Sequence, residues 1–208
     1  MKKLALTTAI LAALVLPVSA LTAKPTVTLA AAPLTVTYGS PTMLSGKIST
    51  AQAGQNVTIE NQDCGTTAFK RLATANTTST GAYSYSAKPV KNTSFRARYK
   101  NAASTVVPVK VAPLLALRKL RLGRYAIAVT AADSLVGKWV AFQRLRNGRW
   151  VTLKRVTLKT VKAGIAPTQV SSASLRIRMR AGLRLRAVMP QAQVGTCYVA
   201  TKSRTIRS

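Results

Sequence analysis

Arg176, Arg178 and Arg180 occupy every second position of Ser174-Leu175-Arg176-Ile177-Arg178-Met179-Arg180, the sharpest chemistry-bearing pattern in this chain. Successive side chains of a β-strand point to opposite faces, so Leu175, Ile177 and Met179 are expected inward and the three guanidinium groups outward. Alternate residues of a strand lie about 6.6 Å apart, close to the phosphate spacing of an extended phosphodiester. A linear polyanion can be met charge by charge at that spacing. Arginine grips phosphate or carboxylate through two parallel hydrogen bonds, which lysine cannot do. Arg184 and Arg186 extend the pattern in the next strand, and Lys119 and Arg121 repeat it around Leu120 and Leu122. Whether these rows share one face depends on strand order. The plainer alternative is a set of solvated strand faces that discourage edge-to-edge aggregation.

The rest of the inventory narrows the chemistry further. There are 32 Lys and Arg, three Asp and Glu and no His, a formal net charge of +29. Glu60, Asp63 and Asp133 are the only acidic side chains. A general acid/base pair, a Ser-His-Asp arrangement or a two-His metal site cannot be assembled from them. Calcium wants six or more oxygen ligands. There is no glycine-rich phosphate loop. A Ser-Lys nucleophile needs no His, but no motif marks one. The expectation is a non-enzyme with no cofactor and no metal. So much unneutralised charge repels itself and makes an anionic partner the natural expectation. The candidates are an anionic cell-wall polymer or phospholipid surface, with extracellular nucleic acid second. A spacer or adhesion module whose charge is merely tolerated is the third reading.

Residues 1–20 have the form of a signal peptide: Lys2 and Lys3, an apolar run from Leu4 to Leu16, and small residues at Pro17-Val18-Ser19-Ala20. Thirteen such residues are too few to cross a bilayer, which takes roughly 20, and no later segment approaches that length. The mature chain is expected to start near Leu21 without a transmembrane segment. It should be secreted or associated with the cell envelope. Asn56-Val57-Thr58, Asn76-Thr77-Thr78 and Asn92-Thr93-Ser94 match the glycosylation pattern, which carries little weight beside a bacterial-looking signal.

After the signal, short alternating runs separated by Gly, Asn, Pro or Ser breaks dominate the chain, as at Val57 and Ile59, Tyr83 and Tyr85, and Leu175 and Ile177. That rhythm predicts an all-β sandwich architecture, and no 11-residue window in this region has a helical period. The two halves align as diverged copies. Ala53-Gly54-Gln55-Asn56-Val57-Thr58-Ile59 matches Val136-Gly137-Lys138-Trp139-Val140-Ala141-Phe142. Phe69 falls on Trp150, Leu72 on Leu153, Phe95-Arg96-Ala97 on Leu185-Arg186-Ala187, and Ala103-Ser104 on Lys202-Ser203. The offsets of 83, 81, 90 and 99 place the length changes in loops. The expected domains are 21–114 and 115–208, joined at Val111-Ala112-Pro113-Leu114. The first carries ten basic and two acidic side chains, the second twenty and one. This register sets Trp139 on Asn56 and so outward beside Lys138, where an indole can stack on a base or sugar ring. An interdomain contact or packing under a loop is the plainer fate for it. Trp150, on Phe69, is expected in the core.

The pieces Thr42-Met43-Leu44-Ser45-Gly46-Lys47-Ile48, Ala53 to Ile59, Gly81-Ala82-Tyr83-Ser84-Tyr85, Asn92 to Ala97 and Ser104 to Val111 resemble tandem bacterial immunoglobulin-like repeats of secreted and cell-surface proteins. Thr78 to Tyr85 is also similar to carboxypeptidase-regulatory-type sandwiches. The resemblance implies two consecutive immunoglobulin-like β-sandwich domains, and spacing or adhesion rather than catalysis. In that architecture Cys64 lies at the end from which the first domain exits. Cys197 lies at the end where the second begins. Head-to-tail stacking then predicts a Cys64–Cys197 bridge clamping the domains together. The alternatives are two free thiols or an intermolecular bridge.

Overall fold

Alternation of apolar and polar residues becomes paired strand along most of the chain. The computed structural model describes residues 24–121 and 123–208; the signal-peptide reading of residues 1–20, and Leu122, lie outside the described residues. The described chain is all-β apart from one short helix. The first half contains β1 (Ala30–Ala32), β2 (Thr35–Thr37), β3 (Thr42–Lys47), β4 (Asn56–Asp63), β5 (Lys70–Asn76), β6 (Ala82–Ala87), β7 (Thr93–Tyr99), β8 (Ala102–Ala103) and β9 (Val107–Ala112). The second half contains β10 (Leu114–Arg121), β11 (Arg124–Ala131), β12 (Trp139–Arg146), β13 (Arg149–Thr157), β14 (Thr160–Ala163), β15 (Gln169–Arg176), β16 (Arg184–Met189), β17 (Thr201–Lys202) and β18 (Ile206–Arg207).

Each half builds two sheets. In the first they are ordered β1-β3-β6 and β2-β9-β7-β4-β5, with β8 beside β7. In the second they are ordered β10-β11-β15-β14 and β13-β12-β16-β17, with β18 also on β16. Among the described strands only β2 and β9 pair in parallel; the other ladders are antiparallel. The buried faces meet across each half. Leu44 of one sheet and Val57, Ile59 and Phe95 of the other are almost fully enclosed, as are Tyr125 and Ile127 against Phe142 and Leu185. The Tyr125 and Phe142 rings lie 5.3 Å apart across that second interior. Burying each such side chain contributes roughly 1.5–3 kcal/mol. Asn147 and Gly148, with φ of 49° and 75°, form the two-residue left-handed turn that suits the twist of β12 and β13.

The aligned halves agree down to single bonds. A register shift falls between Ile59 and Glu60 on β4, and another between Phe142 and Gln143 on β12, the matched pair of positions. Ser104 Oγ accepts from the Ala97 amide and donates to the Thr105 carbonyl at 2.9 and 2.8 Å. Ser203 Oγ does the same with Ala187 and Arg204, again at 2.9 and 2.8 Å.

Two expectations need correction. Trp150 is not in the core: it sits half-buried on the outer face of its sheet, with the Arg186 guanidinium 4.1 Å from the ring centre. Phe69 has the same partner arrangement with Arg96, also at 4.1 Å. The two positions do correspond, but neither is an interior one. In each half one extra residue, Leu72 on β5 and Leu153 on β13, turns the positions before it over to the outer face. Leu120, expected inward, is 60% exposed, because the inward positions of β10 run through Leu115 and Leu117 to Lys119, which leaves Leu120 on the outer face. The all-β expectation stands: the four-residue helix α1 (Gln191–Val194) in the β16–β17 connection is too short to leave a helical period in the sequence.

The halves are joined by more than the chain. Cys64 and Cys197 form a disulfide with Cα atoms 5.3 Å apart. Asn92 is the hub beside it. Its amide donates to the Cys197 carbonyl at 2.9 Å, and its side-chain NH2 donates to the Thr196 carbonyl at 3.0 Å. Its side-chain oxygen accepts from the Val111 amide at 2.8 Å. Lys91 pairs with Asp133 at 2.8 Å. Buried Tyr198 places its hydroxyl 3.2 Å from the same carboxylate. No helix among the described residues is long and apolar enough to cross a membrane.

Candidate anion-binding site

Antiparallel register sorts the second half's charges by strand end. β10, β12 and β15 run away from the junction and finish at Arg121, Arg146 and Arg176; β11, β13 and β16 return from Arg124, Arg149 and Arg184. The end opposite the junction therefore collects Lys119 together with Arg121, Arg124, Arg144, Arg146, Arg149, Arg176, Arg178, Arg180, Arg184 and Arg207. We call this end the pole. The junction end instead holds Lys138, Lys159, Lys162 and Lys202, with Asp133.

All three carboxylates are committed elsewhere. Glu60 takes Arg96 at 2.6 Å and Arg98 at 3.8 Å; Asp63 accepts from Thr93 and Asn61; Asp133 faces Lys91 across the junction. Among the described residues, no Asp or Glu side chain pairs with a cation of the pole. Arg124 lies directly opposite both Arg121 and Arg176, placing three like charges side by side across three strands. Such opposition is destabilising, at about 0.8 kcal/mol per pair for charges 5 Å apart in water. An anion bound over them removes that cost.

The predicted residues divide among distinct settings. Leu175 is buried, Ile177 and Met179 pack against the core, and Arg176, Arg178 and Arg180 are exposed, so the in-and-out alternation holds. The paired ladder itself stops at Arg176. Ser208 anchors the segment beyond, its hydroxyl donating to the Arg180 carbonyl at 2.6 Å and accepting from the Leu183 amide at 2.9 Å. β15 and β16 belong to different sheets, so Arg184 and Arg186 do not continue the face that carries Arg176. Arg184 still reaches the pole, where the two sheets end together. Arg186 does not join it: its Nε donates to Gln143 Oε1 at 2.8 Å over the Trp150 ring. Lys119 occupies the register position opposite inward-facing Tyr125 but is exposed beyond the core. Trp139 lies in the outward register as expected; the Arg155 guanidinium covers it at 4.6 Å from the ring centre.

Arg144 and Arg146 are not among the predicted residues. An open cavity of about 600 Å³ lies between the β12–β13 turn and the β15–β16 connection, lined by Arg144, Leu145, Arg146, Asn147, Arg178, Met179, Arg180 and Leu183. Arg144 sits opposite the fully buried Leu185, on the side that otherwise faces the interior. Its Nε is buried without a hydrogen-bond partner. The available signal is a break in alternation: after Val140 and Phe142, the next inward position holds arginine.

Burial pushes the Tyr83 hydroxyl from 10.0 up to about 12. Burial, then the neighbouring Asp133 carboxylate, pushes Tyr198 upward too. Neither lies at the pole. Among the described residues no group of three His, Cys, Asp or Glu side chains is placed to hold a metal. No protein-family model matches this chain, and no curated protein matches it either.

Proposed function

We propose that this is a non-enzymatic exported protein of the cell envelope that binds an anionic polymer or surface through the pole of its second half. The observation that carries the reading is the segregation of charge. Ten arginines and Lys119 gather at one end, while every Asp and Glu side chain lies in the other half or at the junction. The mechanism is multivalent electrostatic attachment, in which each phosphate or carboxylate neutralised also releases counterions. The disulfide, which persists in oxidising compartments, supports an extracytoplasmic site of action.

We take the architecture to be two consecutive immunoglobulin-like β-sandwich domains, 21–114 and 115–208. Support comes from the two-sheet order of each half, from the matching register shifts, and from the matching serine bonds. Nucleic acid is the weaker candidate, because base stacking wants free aromatic faces and Arg155 and Arg186 already cover Trp139 and Trp150.

The test is salt-dependent retention of the mature protein on an immobilised glycerol-phosphate polymer. Replacing Arg176, Arg178 and Arg180 by Gln should lower the slope of log affinity against log salt by about 2, at roughly 0.7 per lost contact on a linear strand. Equal slopes for variant and parent would remove the proposal. DNA added as competitor should displace the protein less effectively than the soluble polymer.

A further inference from the structure

We propose that the cavity at the pole is a binding pocket for a single phosphate-ester group, with Arg144 as its innermost ligand. The inference rests on the reading of the pole as an anion-binding end, and it adds a defined site to a diffuse charge.

Equivalent positions in the two halves differ in a telling way. On β4, Asn61 and Asp63 lie opposite Phe95 and Thr93 of β7. Asn61 donates to the Asp63 carboxylate at 3.0 Å, which also accepts from Thr93 at 2.8 Å. That small polar cluster is closed on itself at the end where the second half docks through Cys64 and Asn92. On β12 the equivalent residues are Arg144 and Arg146, and the position matching Thr93 is Leu183. An acceptor cluster has become a donor cluster, the carboxylate has been replaced by a cation, and the residue matching Asn92 is Gly182. What is a self-satisfied docking end in the first half is an arginine-lined hollow in the second.

The orphaned Arg144 Nε points the same way. Buried polar groups nearly always have partners, and a guanidinium held at an inward strand position is costly to leave unmatched. Its fork of donors suits two oxygens of one tetrahedral oxyanion, and Arg178 and Arg180 approach the same hollow from the neighbouring connection. A carboxylate brings two oxygens and one charge, too little for several guanidinium groups. A phosphate ester brings more acceptors, and Met179 and Leu183 provide an apolar wall for its organic part. Both sheets contribute, so the pocket needs the folded second half.

The experiment is calorimetric titration of the mature, disulfide-intact protein with glycerol phosphate at constant ionic strength. Saturable one-site binding is expected. Arg144→Met, which keeps length and apolar bulk, should weaken it at least tenfold; if that variant does not fold, Arg180→Gln is expected to weaken it at least threefold. Lys162→Gln, an equal charge loss at the junction end, should change it less than twofold. Absence of saturation, or equal weakening by Lys162→Gln and the arginine variants, overturns the pocket. A glycerol-phosphate oligomer and phosphatidylglycerol vesicles then serve as competitors. Displacement by one supports the pocket and identifies the source of its ester, and displacement by neither overturns it. Polymer retention is measured separately, so a protein that loses the pocket but keeps its salt-dependent retention rejects this inference alone.

Discussion

Glu60 and Gln143 occupy one position in two settings, and exchanging them tests the electrostatic account. In the first half Arg96 Nε donates to Glu60 at 2.6 Å over Phe69; in the second, Arg186 Nε donates to Gln143 at 2.8 Å over Trp150. The geometry is the same and the acceptor differs by one charge. A hydrogen bond between charged groups contributes about 1.5–3 kcal/mol net, against about 0.5–1.5 kcal/mol for an ordinary one. The Glu60 side chain is 14% exposed and that of Arg96 is 29% exposed, so water screens the pair only in part. Glu60→Gln should therefore cost about 1–2 kcal/mol. Gln143→Glu should gain about 1 kcal/mol, because it neutralises a cation in the more crowded half. Each kcal/mol corresponds to about 2–4 °C in Tm for a chain of this size. Thermal unfolding at low and at about 0.5 M salt, where the Debye length falls well below 10 Å, is the assay. Exposed Gln52→Glu changes the net charge by the same amount without that arginine neighbour, and so isolates the local pair. If Gln143→Glu stabilises no more than Gln52→Glu, or if Glu60→Gln is neutral, the electrostatic account fails.

Replacing both Cys64 and Cys197 by Ser should cost on the order of 5 kcal/mol, the loop-entropy figure for a separation of 133 residues. Denaturant unfolding reads this directly, and a loss below about 1 kcal/mol would mean that the Asn92 and Lys91–Asp133 contacts already hold the halves. Tyr83 and Tyr198 set an alkaline limit. Their folded values lie above the unfolded one, so the folded state binds more protons there; their contribution is whole below pH 10 and declines as pH rises, for Tyr83 through about 12. Urea midpoints between about pH 8 and 12 should show the decline, and Tyr83→Phe should flatten it; an unchanged profile in that variant would reject the assignment.

Much of the molecule is legible from residue order alone. Period-two alternation places Val57, Ile59, Tyr125 and Ile127 inside because a strand has only two faces and water selects between them. Correspondence between the halves is readable because strands keep their register while loops absorb length changes. The disulfide is reached only through the strand order that the immunoglobulin-like resemblance implies, which sets the end of each half at which its cysteines fall. The candidate site is only half legible. Arg176, Arg178 and Arg180 announce themselves by spacing, but their grouping with Arg121, Arg124, Arg146 and Arg184 depends on which strands end together, a property of sheet order that no local pattern encodes. The same dependence misplaces Trp150, since one extra residue on β13, Leu153, turns an inward position outward. It also hides Arg144, whose isolation arises from neighbours on β16 and the β15–β16 connection, about forty residues away in sequence. Composition and alternation determined that this chain forms strands and carries unmatched positive charge; tertiary structure decided where that charge gathers, because only packing of two sheets brings the strand ends to one pole.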